Sequence, residues 1–300
     1  MTVATSAAAS GLLAPRRGST RSGPVWLLRT LLSKVQARIG GFIILLLLVC
    51  AIFAPLIAPF GPVELRAGEP LAPPSARHLF GTDDLGRDMF SRLVYGSRLT
   101  LQVGALSVAI ATSIGVLIGL VAGFYGGWVD AWLMRFTDVM LAFPGLLLAL
   151  AIVAILGPGL NNAMIAVGVG AFPGYARVVR GSVLSIRGSE YVTAERVLGA
   201  DDRHIMRRAV LPNVLAPIIV LASLEFPAAI LSAAALSFLG LGAQPPDPEW
   251  GALLTDGRNF IRSAPWLINI PGLAIFAVVL AFNLLGNTLR DVLDPRQRGR

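Results

Sequence analysis

The sequence predicts an all-α integral membrane protein with six transmembrane helices and cytoplasmic amino and carboxyl termini, and three observations predict it. Of 300 residues, 55% are hydrophobic and only 14% charged, with a mean hydropathy of +0.72, far too apolar for an ordinary soluble domain. The apolar residues are gathered into uncharged runs long enough to cross a hydrocarbon layer of roughly 30 Å. The basic residues fall in blocks between those runs, and the blocks alternate in weight, as the positive-inside rule requires of a multispan chain. The net charge of +8 and pI of about 10.9 therefore read as topology signals and not as a nucleic-acid footprint.

The first span is expected within 39–60, which carries no charge over 22 residues and reaches roughly 33 Å as a helix. It lacks the small-residue exit of a cleaved signal peptide, and Val49 before Cys50 is too large for a lipoprotein cleavage site. A second span is expected in 99–129. The run 139–176 is uncharged over 38 residues but broken by the turn-forming Gly157-Pro158-Gly159-Leu160-Asn161-Asn162, so it folds into spans three and four. Span five occupies 214–239 with one acid, and span six lies within 263–289. With the amino terminus inside, the inner segments hold six basic residues in 1–38, one in 130–138, seven in 177–212 and four in 290–300, which leaves seven outside. This asymmetry sets the orientation. The organisation that follows is a disordered basic cytoplasmic tail over 1–38, a first helix and external segment over 39–97, a five-helix core over 98–290 with a cytoplasmic loop at 181–212, and a tail over 291–300.

Several residues within the spans carry structural or chemical meaning. Gly115, Gly119 and Gly123 recur at every fourth position and let another backbone approach closely, within this chain in preference to a partner. Pro144-Gly145 and Pro173-Gly174 are expected to kink or unwind spans three and four, and broken spans line pathways. Glu225 is the one acid deep in a span; it either meets a cationic group on a substrate path or faces a neighbouring helix as a hydrogen-bonded acid. A proton-coupled carrier would keep more such groups. Lys34 is the sole lysine and is followed by Val35, so no G-x-x-x-x-G-K-[ST] phosphate loop exists and any ATP is hydrolysed by another chain. Cys50 stands alone, and His78 and His204 belong to loops on opposite faces. No catalytic constellation, metal cluster or cofactor site is expected.

The loop 181–212 is itself patterned. Residues 189–198 read as a short helix, Gly199 as its left-handed terminator, Asp201 or Asp202 as the cap of a second short helix through 208, and Pro212 as the start of span five. Such a lasso suits a lever for a cytoplasmic partner, or else a loop lying on anionic headgroups. Thr193-Ala194-Glu195, then Leu198-Gly199-Ala200, then Ala209-Val210-Leu211-Pro212 resemble the loop signature of ABC importer permeases, E-A-A-x-x-x-G followed at fixed distance by I-x-L-P. Thr193, Glu195 and Ala209 depart from it in side chain but not in spacing.

Further stretches resemble the dipeptide, oligopeptide and nickel class of these permeases, in the subunit with a long external segment after span one. They are His78-Leu79-Phe80-Gly81-Thr82-Asp83-Asp84-Leu85-Gly86-Arg87-Asp88 with Ser91-Arg92; Met134-Arg135 with Asp138 and Phe143-Pro144; and Leu236-Ser237-Phe238-Leu239-Gly240-Leu241-Gly242 with Gln244-Pro245-Pro246 and Glu249-Trp250-Gly251. Where the class often has an acid ahead of the last of these, this chain has Ala233. Physically, Gly81 and Gly86 supply tight turns, while Asp83, Asp84, Arg87 and Asp88 cap a helix and pair with each other; the spacing is not that of an EF-hand.

What the resemblance implies is the type I ABC importer permease fold in a bacterial cytoplasmic membrane. It also implies a homologous second permease subunit, two cytoplasmic ATPase subunits and an external substrate-binding protein. The chain would form half of the pathway for di- or oligopeptides, or by the same machinery for nickel chelates or glutathione. The external stretches 61–98 and 240–262 would meet the binding protein, with Trp250 and Trp266 either joining that contact or anchoring at the membrane interface. The rival readings are a stand-alone secondary carrier or channel, which would need no ATPase, and a membrane-embedded scaffold or enzyme.

Overall fold

The computed structural model describes residues 24–293. The elements are α1 (Pro24–Ser33), α2 (Val35–Ile52), α3 (Ala54–Ile57), α4 (Met89–Tyr125), α5 (Gly127–Leu141), α6 (Gly145–Leu156), α7 (Leu160–Arg187), α8 (Glu190–Val197), α9 (Asp202–His204), a π-helical turn (Ile205–Val210), α10 (Leu211–Phe238), α11 (Trp250–Gly257) and α12 (Trp266–Leu293). Among the described residues there is no strand, only one isolated bridge between Thr82 and Asp88.

Among the described residues four helices are long and apolar enough to cross a bilayer: α2, α4, the continuous unit from Asp202 to Phe238, and α12. The pair α5–α6 makes a fifth if counted as one span, bent by 91°. The bend follows from sequence. Pro144 has no amide to continue the ladder, so α5 closes at Ala142 and α6 restarts with Pro144 as its N-cap. Pro173 behaves differently, since α7 carries it buried in its interior without interruption. At 28 residues α7 is long enough to cross, but Arg177, Arg180 and Arg187 in its second half lower its hydropathy.

Three boundaries move relative to the sequence expectation. Residues 24–33 and 35–38 are helical, where the sequence reading expects a disordered tail over 1–38. Residues 1–23 and 294–300 lie outside the described residues. The first span ends at Ile52, where Phe53 and Pro55 divide it from the one-turn α3. The second short helix of the cytoplasmic loop does not stand apart, because α9, the π turn and α10 run on as one unit.

The core sits where these helices cross. α4 packs along α7 over most of both lengths, and the glycine stripe explains how. A Cβ at Gly115 would lie 2.3 Å from Tyr175 Cβ, one at Gly119 2.5 Å from the Ala176 carbonyl, and one at Gly123 2.8 Å from Val183 Cβ, so the three glycines let α7 nest against α4 within the same chain. α2 packs on α12 in the same manner, with Gly40 against the Ala281 carbonyl.

Candidate functional site

Three regions hold the polar chemistry. On the expected outer side, the segment between α3 and α4 is locked to the rest of the chain. Asp83 Oδ1 accepts the Leu85 and Arg87 amides, and its Oδ2 lies 2.5 Å from Arg87 Nε. Asp88 caps α4 by accepting from the Ser91 amide and hydroxyl, while its other oxygen is 2.9 Å from His78 Nδ1. Gly81 and Gly86 have φ of +75° and +73°, the left-handed turns that admit this fold-back. Asp84 is half-exposed at 3.9 Å from Arg87.

Arg92 reaches across to Asp256 in the last turn of α11 at 3.4 Å, and burial pushes the Asp256 carboxyl up while Arg92 and Arg87 pull it down. The carboxylates of Asp83 and Asp88 are therefore committed to amides, arginine and histidine. Trp266 Nε1 donates to the Thr82 carbonyl at 3.1 Å, and Trp250 Nε1 to the Leu93 carbonyl at 3.0 Å, with Trp250 only 3% exposed. Trp266 thus staples the external segment to α12, and Trp250 ties α11 to the first turns of α4. Glu249, buried, caps α11 by accepting the Gly251 and Ala252 amides.

Within the helical bundle lies a cavity of about 210 Å³ between α4, α6, α7 and α10. Glu225 lines it, as do Ser107, Tyr175, Ser232 and the first residues of α6, Gly145 and Leu146. Glu225, Ala228, Ala229 and Ser232 share one face of α10 by their three- and four-residue spacing. Of the sequence-derived path residues, Glu225 is in the wall, Pro144 stands at its edge as the α6 N-cap, and Pro173 is buried in α7 away from the lining. Sequence reasoning missed Ser107, Tyr175 and Ser232; their signal was the recurrence of small and hydroxyl-bearing residues on the faces of uncharged helices.

At the expected inner face, α7 ends with Arg187, whose guanidinium donates to the Gly123 and Phe124 carbonyls at the end of α4. α8 follows and stops in a Schellman arrangement: Ala200 N–H donates to the Glu195 carbonyl, Gly199 N–H to the Arg196 carbonyl, and Gly199 has φ +85°. Asp201 caps α9 by accepting the His204 amide. Val192, Ile205, Ala209 and Val210 bury the inner side of this lasso.

The outer side of the lasso is bare. Val197 and Leu198 are 82% and 85% exposed, Thr193 and Ala194 are exposed, and nothing stands within 4 Å of a Cβ built on Gly199. Pro212 near the start of α10 withholds an amide, and the ladder before it slips to π spacing, with Leu211 N–H bonded to the Met206 carbonyl.

Residues 115–299 match the family described as binding-protein-dependent transport system inner membrane component, and residues 27–74 match the N-terminal TM domain of oligopeptide transport permease C. The chain is 51% identical over 268 residues to a di/tripeptide transport system permease protein of Pseudomonas aeruginosa, covering 87% of this chain and 88% of that one. It is 54% identical over 266 residues to the dipeptide transport system permease protein of Escherichia coli K12, covering 87% and 89%. It is 47% identical over 265 residues to a glutathione transport system permease protein of Shigella flexneri, covering 88% of each. Among solved structures, the inward-facing MetNI methionine ABC transporter superposes with a TM-score of 0.56 at 22% identity over 68% of this chain and 97% of that chain, a likeness of fold.

Proposed function

The chain belongs to the binding-protein-dependent transport system inner membrane components, the permease subunits of ABC importers, and from that premise we propose that it forms half of a translocation pathway for di- and oligopeptides. Identity with dipeptide permeases at more than half of the aligned positions, over 87% of the chain, is the single observation that carries the substrate. A glutathione cargo is the second reading, favoured by the 47% identity to a permease of that name; glutathione is itself a modified tripeptide, so the two cargoes share backbone chemistry.

In this reading the chain pairs with a homologous permease, and two ATPase subunits bind at the inner face. The contact is Thr193 to Ala200 with Leu211 and Pro212 behind it, because α8 presents the exposed Val197 and Leu198 at a tight bend. An exposed apolar tip on an otherwise basic loop matches a protein groove better than water. Closure of the ATPases on ATP would displace this tip. The lasso would transmit the displacement through the π turn into α10 and through Arg187 into α4 and α7, since packed helices shift as units. The cavity beside Glu225 would change its access from one side to the other, and an external binding protein would deliver the cargo over the stapled segment 61–98 and the stretch 240–262.

The test is Gly199→Arg in the assembled importer. A side chain at φ +85° strains the bend and places a bulky cation in the docking surface. Uptake of radiolabelled dialanine should fall to background with the chain still inserted at wild-type amount. Wild-type uptake by this variant rejects the coupling role. Competition of dialanine uptake by glutathione decides between the two cargoes.

A further inference from the structure

Glu225 is the one acid among the 28 residues of α10, and among the described residues its carboxylate has no hydrogen-bond donor and no cation at salt-bridge distance. An ionisable group at membrane depth is costly, and charged or neutral it requires a polar partner that the described residues do not supply. A purely structural acid would have one. The carboxylate instead looks into the cavity of about 210 Å³.

Another part of the lining has the complementary polarity. α6, 12 residues long, begins there at Gly145 with no side chain capping it, so its first-turn amides and the positive end of its dipole are free for a ligand. Tyr175, 1% exposed, lines the same space, and its buried hydroxyl approaches Thr112 without completing a hydrogen bond of sound geometry. One part of the lining therefore accepts and the other donates. At about 30 Å³ per water the cavity holds roughly seven waters, room for one or two residues and not for a whole oligopeptide.

We propose that this cavity is a transit subsite for the amino-terminal end of a peptide, in which the Glu225 carboxylate receives the terminal ammonium and the first-turn amides of α6 receive the neighbouring carbonyl. The inference rests on the peptide-import reading and adds to it a second selection step, made within the permease after the external protein has released its cargo. A free amine then speeds passage through the permease. Oppositely charged recognition at low dielectric discriminates strongly, because a blocked amine leaves the acid unpaired.

The experiment uses the complete importer, with its ATPase subunits and binding protein, in vesicles, and compares uptake of dialanine with that of N-acetyl-dialanine supplied at saturating concentration. The preference of the binding protein is common to wild type and variants and cancels in the ratio. Glu225→Gln should lower kcat for dialanine about tenfold or more while changing N-acetyl-dialanine uptake less than about twofold, and Glu225→Asp should recover most of the dialanine rate. Equal losses for the two peptides, an Asp variant as poor as the Gln variant, or an unchanged dialanine rate in Glu225→Gln each overturn the subsite and leave the importer standing. Failure of the wild type to take up dialanine at all removes the peptide reading and the subsite with it.

Discussion

A methyl group at Gly115 would meet the Tyr175 side chain at 2.3 Å and the Phe172 carbonyl at 2.8 Å, and neither a helix backbone nor a packed ring base can retreat cheaply. Gly115→Val should therefore destabilise the chain by about 1–3 kcal/mol through forced separation of α4 and α7, seen as a lower thermal midpoint in detergent. Gly127, with nothing within 4 Å of its would-be Cβ, is free of that clash. On the outer side, Glu249→Ala removes a cap that accepts two amides and should cost about 1–2 kcal/mol. Burial raises the Glu249 carboxyl above its ordinary range, opposed by the Gly251 and Ala252 amides and Ser237. A raised folded-state value means that this group's stabilisation is fully present below the unfolded value of about 4.3 and is lost as pH rises through the folded value. The measured cost of Glu249→Ala should accordingly be larger at acid pH than at alkaline pH.

At the level of elements, α8 illustrates what a sequence can announce. Its stop at Gly199 and a following cap at Asp201 or Asp202 were readable, and the cap falls on Asp201, because capping and backbone freedom are local properties of single residues. The fusion of α9 with α10 was not, since the π turn arises from a missing amide whose neighbours still find partners one residue further back. The two proline-glycine pairs divide on the same ground. Pro144 opens a 91° bend while Pro173 is absorbed into α7, and what separates them is tertiary packing: Phe172 and Pro173 are buried, whereas Phe143 is 55% exposed. Leu198, 85% exposed, contributes nothing to the fold of the isolated chain. Leu198→Asp should leave the thermal midpoint within the range of surface substitutions, about ±0.5 kcal/mol, yet reduce co-purification of the ATPase subunits about tenfold; undiminished co-purification would place the docking elsewhere.

Across the whole molecule, the helical membrane class and the approximate place of every long helix were legible from hydropathy and charge, whereas the cavity was not, because it is assembled from four helices whose facing residues are small and unremarkable in sequence. Glu225 alone stood out. The proposed six-span topology with inner termini predicts distinct labelling of two exposed positions, Asn161 and Glu190. With Cys50→Ser as background, an impermeant maleimide should modify Asn161→Cys in intact cells and Glu190→Cys only after permeabilisation, and the reverse pattern would invert the orientation.

Helix α4 runs 37 residues without a proline, about 55 Å of unbroken main-chain ladder, fastened by Asp88 at one end and gripped through Arg187 at the other. Such a rod does not flex without sacrificing main-chain bonds, so a tug on its inner tip must swing its outer tip the opposite way, as on a seesaw. Under the proposed import cycle the two mouths of the conduit would then be rival positions of a single beam, so that opening one shuts the other.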